Sequence, residues 1–135
     1  MSEVVTGTYV AVIPTESTLE LLNAWAAENK IHLDPNLHVT TLYSRSVVNV
    51  SPCDEKFIAA GTHFDMFGDC LVLRLSCPEL ETRHNMFMEQ GGTHDYPEFN
   101  LHMTLQFKAI ANLNNLTPVN FQLHFHREHT EALTE

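Results

Sequence analysis

Leu101-His-Met-Thr-Leu-Gln-Phe107 is the stretch on which the fold turns. Its residues alternate strictly. His102, Thr104, Gln106 and Lys108 fall on one side of an extended strand, and Leu101, Met103, Leu105, Phe107 and Ala109 on the other. The apolar side reads as a buried sheet face. The polar side presents an imidazole and a hydroxyl two residues apart. The arrangement occurs a second time, in Leu37-His-Val-Thr-Thr-Leu-Tyr43, where His38 and Thr40 share a face. One H-x-T on a strand carries little information. Two of them, each with a hydrophobic, aromatic continuation, carry a good deal more.

Working outward, the segments around the two motifs repeat. Gly7 to Pro14 reads as a first strand. Ser17-Thr-Leu-Glu20 reads as a capping box opening a helix to about Lys30, with Leu21, Leu22 and Trp25 as its buried stripe. Asp34-Pro-Asn turns the chain into the strand bearing His38. Ser51-Pro52, with Asp54 and Glu55 behind it, predicts a short helix ended by Gly61. Thr62–Phe67 and Cys70–Ser76 predict a hairpin about Gly68-Asp69. Pro78-Glu79 opens a further helix, capped by Ser76 or Cys77, with Leu80, His84, Phe87 and Met88 inward. That helix stops at Gly91-Gly92. The strand with His102 follows. Val119–Arg127 predicts a last strand, and the remaining residues are expected to fray. Strand, helix, loop and H-x-T strand thus occur twice. Val10 precedes His38 by 28 positions, and Leu73 precedes His102 by 29. The expected architecture is α+β: one domain over residues 1–135, with two pseudo-symmetric lobes, 7–67 and 70–127, of antiparallel strands. The helices lie outside, and the two H-x-T strands face each other across a central cleft.

Composition bounds the function. The 135 residues suffice for one well-packed domain. A formal net charge of -10 argues against an extended nucleic-acid groove, yet leaves room for a small anionic ligand held by local donors. The acidic residues are scattered, unlike those of a DNA mimic. No run approaches the roughly 20 apolar residues of a membrane span. Met1-Ser-Glu-Val lacks the basic and apolar blocks of a signal peptide. Three cysteines without metal-type spacing read as reduced thiols, so a cytoplasmic protein is expected.

Two facing H-x-T pairs suit acid–base chemistry on a phosphodiester. Histidine exchanges protons near neutral pH. One imidazole can take the proton of an attacking oxygen while the other protonates the leaving oxygen. The two hydroxyls, Thr40 and Thr104, can hold the non-bridging oxygens. No cofactor or metal is called for.

The paired motifs His38-Val-Thr40 and His102-Met-Thr104, in a two-lobed repeat of this size, resemble the 2H phosphoesterase (LigT-like) superfamily. With Gly-Thr-Tyr-Val-Ala-Val12 and the Leu37–Arg45 block, the chain looks most like the phage anti-CBASS phosphodiesterases, which cleave the cyclic oligonucleotides of bacterial alarm signalling. The resemblance implies His38 and His102 as the acid–base pair, and Thr40 and Thr104 as phosphate ligands. It implies Tyr9 as a base-stacking aromatic and an acidic residue of the C-terminal segment, Glu128 or Glu131, as reader of a base edge. It also implies action in the host cytoplasm on a small cyclic di- or trinucleotide. The two motifs diverge further along, where Leu42 stands in the place Gln106 takes in the second. Which histidine is base stays open.

Each residue also has a plainer reading. A single histidine or threonine on a strand needs no function; the match of both motifs within a repeat favours one. Tyr9 could be an ordinary strand aromatic, and Trp25 reads as core. Lys108 and Arg45 could neutralise phosphate or be solvated charge. His124, His126 and His129 form an H-x-H-x-x-H cluster with no convincing third zinc ligand, so metal binding is not expected. His94 and Asp95 lie on the loop before the second motif. Val47–Ser51 and Asp95–Phe99 are candidate lids. Two rival functions remain: opening 2′,3′-cyclic phosphates on RNA ends or small nucleotides, and binding a cyclic nucleotide without cleaving it, as a sponge.

Overall fold

The computed structural model describes residues 4–94, 98–109 and 113–134. The elements run β1 (Val5–Val12), α1 (Glu16–Asn29), β2 (Val39–Ser44), β3 (Phe57–Phe67), β4 (Cys70–Ser76), α2 (Pro78–Glu89), β5 (His102–Gln106), a 3-10 turn (Leu113–Asn115), β6 (Leu123–Phe125) and β7 (His129–Thr134). They build a mixed α+β fold with two antiparallel sheets. One has the order β2-β1-β7 and the other β5-β4-β3-β6.

Alternation explains the strands. Met103 and Leu105 of β5 are fully buried while His102, Thr104 and Gln106 are half-buried, as the opening stretch predicts, but the alternation ends with the strand at Gln106, and Phe107, expected on the buried face, is exposed. In β1 and β2, Val10, Val12, Val39 and Leu42 face the core. Gly7 lies where β1 runs against β2, and a β-carbon there would collide with the Ser44 carbonyl. Gly68, with φ 62°, makes the β3–β4 hairpin turn.

Four local expectations are corrected. Residues 57–61 are strand, not the end of a helix begun at Ser51-Pro52. Phe57 and Ala59 are buried and Ile58 and Ala60 exposed, a period-two pattern that pairs with β6 and outweighs the helix-start signal. The helix cap is Thr15 rather than Ser17; its hydroxyl accepts the Thr18 N–H. The end of the chain is not frayed, because β7 pairs with β1 from Ala11↔His129 to Val5↔Thr134. Of the expected last strand, only Leu123–Phe125 is strand.

Sheet membership also cuts across the expected lobes. β3 joins the second sheet, while β7 completes the first. The helices cross over as well. Trp25 of α1 stacks on Phe64 of β3 with ring centroids 5.3 Å apart, and the start of α1 bonds β6 through Thr15 N–H to the His124 carbonyl. Phe87 of α2 packs on Val10 and Leu42 of the first sheet, and His84 donates from Nδ1 to the Thr41 carbonyl at 2.7 Å. Each helix therefore covers the sheet of the other half, and the halves interlock.

Candidate active site

The two sheets meet where β2 lies against β5, so the H-x-T strands come together. Each motif is preceded by the same two residues, making Asn36-Leu-His-Val-Thr40 and Asn100-Leu-His-Met-Thr104. The extension has a structural use. His38 Nδ1 bonds the Asn36 carbonyl at 2.7 Å, and His102 Nδ1 bonds the Asn100 carbonyl at 2.6 Å. A carbonyl only accepts, so each Nδ1 carries the proton. Each neutral imidazole then has its lone pair on Nε2. Neither Nε2 has a hydrogen-bond partner among the described residues. The same tautomer is thus fixed on both sides of the junction. The apolar Leu37 and Leu101 lock each motif from the other face of the strand, being 5% and 3% exposed.

A β-bulge shapes the first half. Val10 faces Leu42 but Ala11 faces Thr40, so Thr41 is the extra residue. This places Thr40 and Tyr43 on one face despite their odd separation. Cross-strand neighbours share a face, which puts Tyr9 beside Tyr43 on β2 and beside Glu131 on β7. Tyr9 meets His38 edge-on at 6.5 Å and Tyr43 at 6.2 Å. His129 follows on the same face, opposite Ala11, and its Nε2 lies 2.8 Å from Glu131 Oε1. His38, Thr40, Tyr9 and Glu131 are therefore brought together.

In the second half, His102 faces Arg74 and Thr104 faces Val72. The Phe67 ring lies 4.7 Å from the His102 ring, edge-on. Burial pushes the His102 imidazole below its ordinary value. The bond to Asn100 opposes this, while Arg74 and His38 act in the same direction as burial.

Other sequence candidates lie elsewhere. Glu128 is not at the site: its side chain is fully buried and taken up by Arg83, with Nη2 at 2.6 Å and Nε at 3.0 and 3.2 Å. It also accepts the Cys53 N–H at 2.8 Å. Lys108 is exposed beyond the end of β5, in the left-handed region at φ 53°. Val47–Ser51 is anchored rather than lid-like, since Val48 is buried and bonded to Thr8, and the Ser51 carbonyl accepts from Arg83. Of the second lid candidate and its neighbours, Asp95 lies outside the described residues, while His94 and Phe99 pack on His84. His124 and His126 line a shallow concavity with Thr15, Glu16 and Lys56, away from the cleft. No three of the described His, Cys, Asp or Glu side chains converge as metal ligands would. No described helix is long and apolar enough to cross a membrane.

Sequence reasoning missed Tyr43, Phe67, Asp65, Arg74 and the two asparagines. The asparagines were legible as a five-residue repeat. Arg74 was legible as the single charge in the apolar strand Leu71-Val-Leu-Arg-Leu75.

Fold and site define a class: an α+β protein of two antiparallel sheets joined at paired histidine–threonine strands, with aromatics beside each imidazole. A model of the anti-CBASS protein Acb1 family matches residues 6–135. The chain belongs to that family. It is 32% identical to the anti-CBASS protein Acb1 of Vibrio phage KVP40, over 94% of this chain and 87% of that one. It is 34% identical to that of Acinetobacter phage Ac42, over 82% and 79%, and 30% identical to that of Enterobacteria phage T4, over 95% and 89%.

Proposed function

We propose that the protein is a metal-independent phosphodiesterase that cleaves 3′–5′ links of small cyclic oligonucleotide signals and so defeats CBASS immunity. The observation carrying this reading is the matched anchoring of His38 and His102 on two strands that meet. The same backbone bond gives both imidazoles the tautomer needed to pass a proton through Nε2. A 2H-type phosphoesterase would use them in this way. A ribose 2′-hydroxyl attacks the adjacent phosphorus while one imidazole takes its proton. The bond from phosphorus to O5′ breaks, and the other imidazole protonates O5′. Thr40 and Thr104 donate to the non-bridging oxygens and keep the attack in line. The 2′,3′-cyclic phosphate so formed is opened by water with the roles reversed, giving a 3′-phosphate. Tyr9 offers a face for a base, and Glu131 beside it accepts from a base edge.

Family membership and the aromatic pair Tyr9–Tyr43 would suit a sponge equally, but a sponge has no use for two matched proton carriers. Incubation with cyclic di- and trinucleotides in excess EDTA, followed by separation of products, distinguishes them. Cleavage to linear or 3′-phosphorylated products is expected. Recovery of intact ligand alone would leave the sponge. Cleavage abolished by EDTA and restored by a divalent ion would overturn metal independence. His38→Ala and His102→Ala should each lose about 10²–10⁴-fold in rate with the fold kept. A loss below tenfold in either refutes the role of that histidine.

A further inference from the structure

The repeat makes the two halves of the site comparable position by position, and one position breaks the match. Beside Thr40 stands Ala11 and beside Thr104 stands Val72, both apolar. Beside His102 stands Arg74. The register of β1 with β2 ends at Val12 opposite Val39, and by continuation the next residue, the alkyl Ile13, corresponds to the place beside His38. A cation on one side thus corresponds to an alkyl group on the other.

Arg74 is held in place. Its Nη1 lies 3.3 Å from Asp65 Oδ2 on β3, and its Nη2 donates to Asn100 Oδ1 at 2.8 Å. Its guanidinium sits over the Phe67 ring, 5.7 Å from the centroid, and that ring abuts His102. Asn100 is the residue whose carbonyl anchors His102. Arg74 therefore grips the anchor of one imidazole and puts a fixed positive charge beside it.

We infer that Arg74 is a positioning residue that gives the site its direction, holding His102 through Asn100 as the general base and leaving His38 as the general acid. The assignment rests on the phosphodiesterase reading above. In the forward step His102 Nε2 takes the 2′-hydroxyl proton as the oxygen bonds phosphorus. Protonated His38 gives its Nε2 proton to O5′ as that oxygen leaves. Environments that push two like groups apart in proton affinity separate acid from base. Burial, Arg74 and His38 all favour neutral His102. The charged and titratable groups around it are Arg74 on β4, Asp65 and His63 on β3, and His38 on β2.

The test is a titration of His102 by NMR on histidine-labelled protein, beside the pH profile of kcat/KM. In Arg74→Gln the His102 midpoint should rise, and the acid limb of the profile should rise with it. A loss of roughly ten- to a hundredfold in kcat should accompany this, as misplaced groups cost. Arg74→Lys, which keeps the charge, should hold the midpoint near that of the natural protein. Asp65→Asn, which leaves Arg74 without its counter-charge, should move it down, and it serves if Arg74→Gln does not fold. An unmoved midpoint in both Arg74→Gln and Asp65→Asn overturns the inference. So does a rise in KM alone, which would make Arg74 a substrate contact. The NMR midpoint is read without substrate. Absence of cleavage would therefore sink the proposed function while the coupling of Arg74 to His102 is still measured.

Discussion

Glu128 and Glu131 stand three residues apart and serve opposite ends. Glu131 lies on the Tyr9 face of β7, 61% exposed at its side chain and touched by His129, where a carboxylate can meet a ligand. Glu131→Gln should therefore leave the unfolding midpoint unchanged and weaken binding of the preferred cyclic nucleotide. The loss should be about 1.5–3 kcal/mol in affinity, the range for one charge-assisted hydrogen bond. Isothermal titration with a catalytically dead His102→Ala background checks it, and unchanged affinity would remove Glu131 from the site. At this scale the acid–base pair was legible because it is carried by a local pattern repeated twice. The choice between the two acids was not. It depends on the pairing of β7 with β1, which joins Tyr9 to Glu131 from near the opposite end of the chain, and no local pattern encodes that.

Among elements, strands whose two faces differ were the most legible. β4 spans the expected Cys70–Ser76, and α2 buries the expected Leu80, His84 and Phe87. The failures share a cause. Pro52 with its acidic followers is a genuine helix-start signal, yet residues 57–61 gain more by pairing, the first three with β6 and the last two with β4. β7 is polar because only one face of an edge strand packs, so it reads as tail. Besides its pairing with β1, this C-terminal region is held at its start by the Arg83–Glu128 pair, which ties α2 to the 51–53 loop and to the residue just before β7. Removing one partner of a buried ion pair leaves the other uncompensated, at a cost of about 3–5 kcal/mol. Glu128→Gln should accordingly lower stability by about 3 kcal/mol in urea unfolding. Combining it with Arg83→Met should cost much less than the sum of the two single changes. Additive losses would mean the pair is not a unit. Activity of the surviving folded protein should be close to normal, because the bonds of the Glu128 side chain among the described residues go to Arg83 and Cys53 and not to the cleft.

The interlocking of the halves is a property of the whole molecule, and it places a titratable group at the crossing. His84 sits where α2 covers the first sheet, 4% exposed, bonded to the Thr41 carbonyl, stacked on Phe99 at 3.7 Å and edge-on to His94 at 5.2 Å. Burial pushes its imidazole below the ordinary value; the bond to Thr41 opposes this and His94 adds to it. His102 is lowered likewise, with burial again the first cause. The sign follows from linkage. Below about pH 6.5 the unfolded chain takes up protons at these two positions that the folded chain refuses, so acid favours unfolding. Each proton contributes at most about 1.4 kcal/mol per pH unit. Urea midpoints should fall steadily from pH 7.5 to 5.5, a window above the range in which most carboxylates titrate. His84→Gln, whose amide can still donate to the Thr41 carbonyl, should make that fall shallower. Stability that is flat or rising towards pH 5.5 would show that the buried histidines accept protons in the fold. A His84→Gln slope as steep as that of the natural protein would show that the crossing of α2 over β2 is not where the acid sensitivity lies.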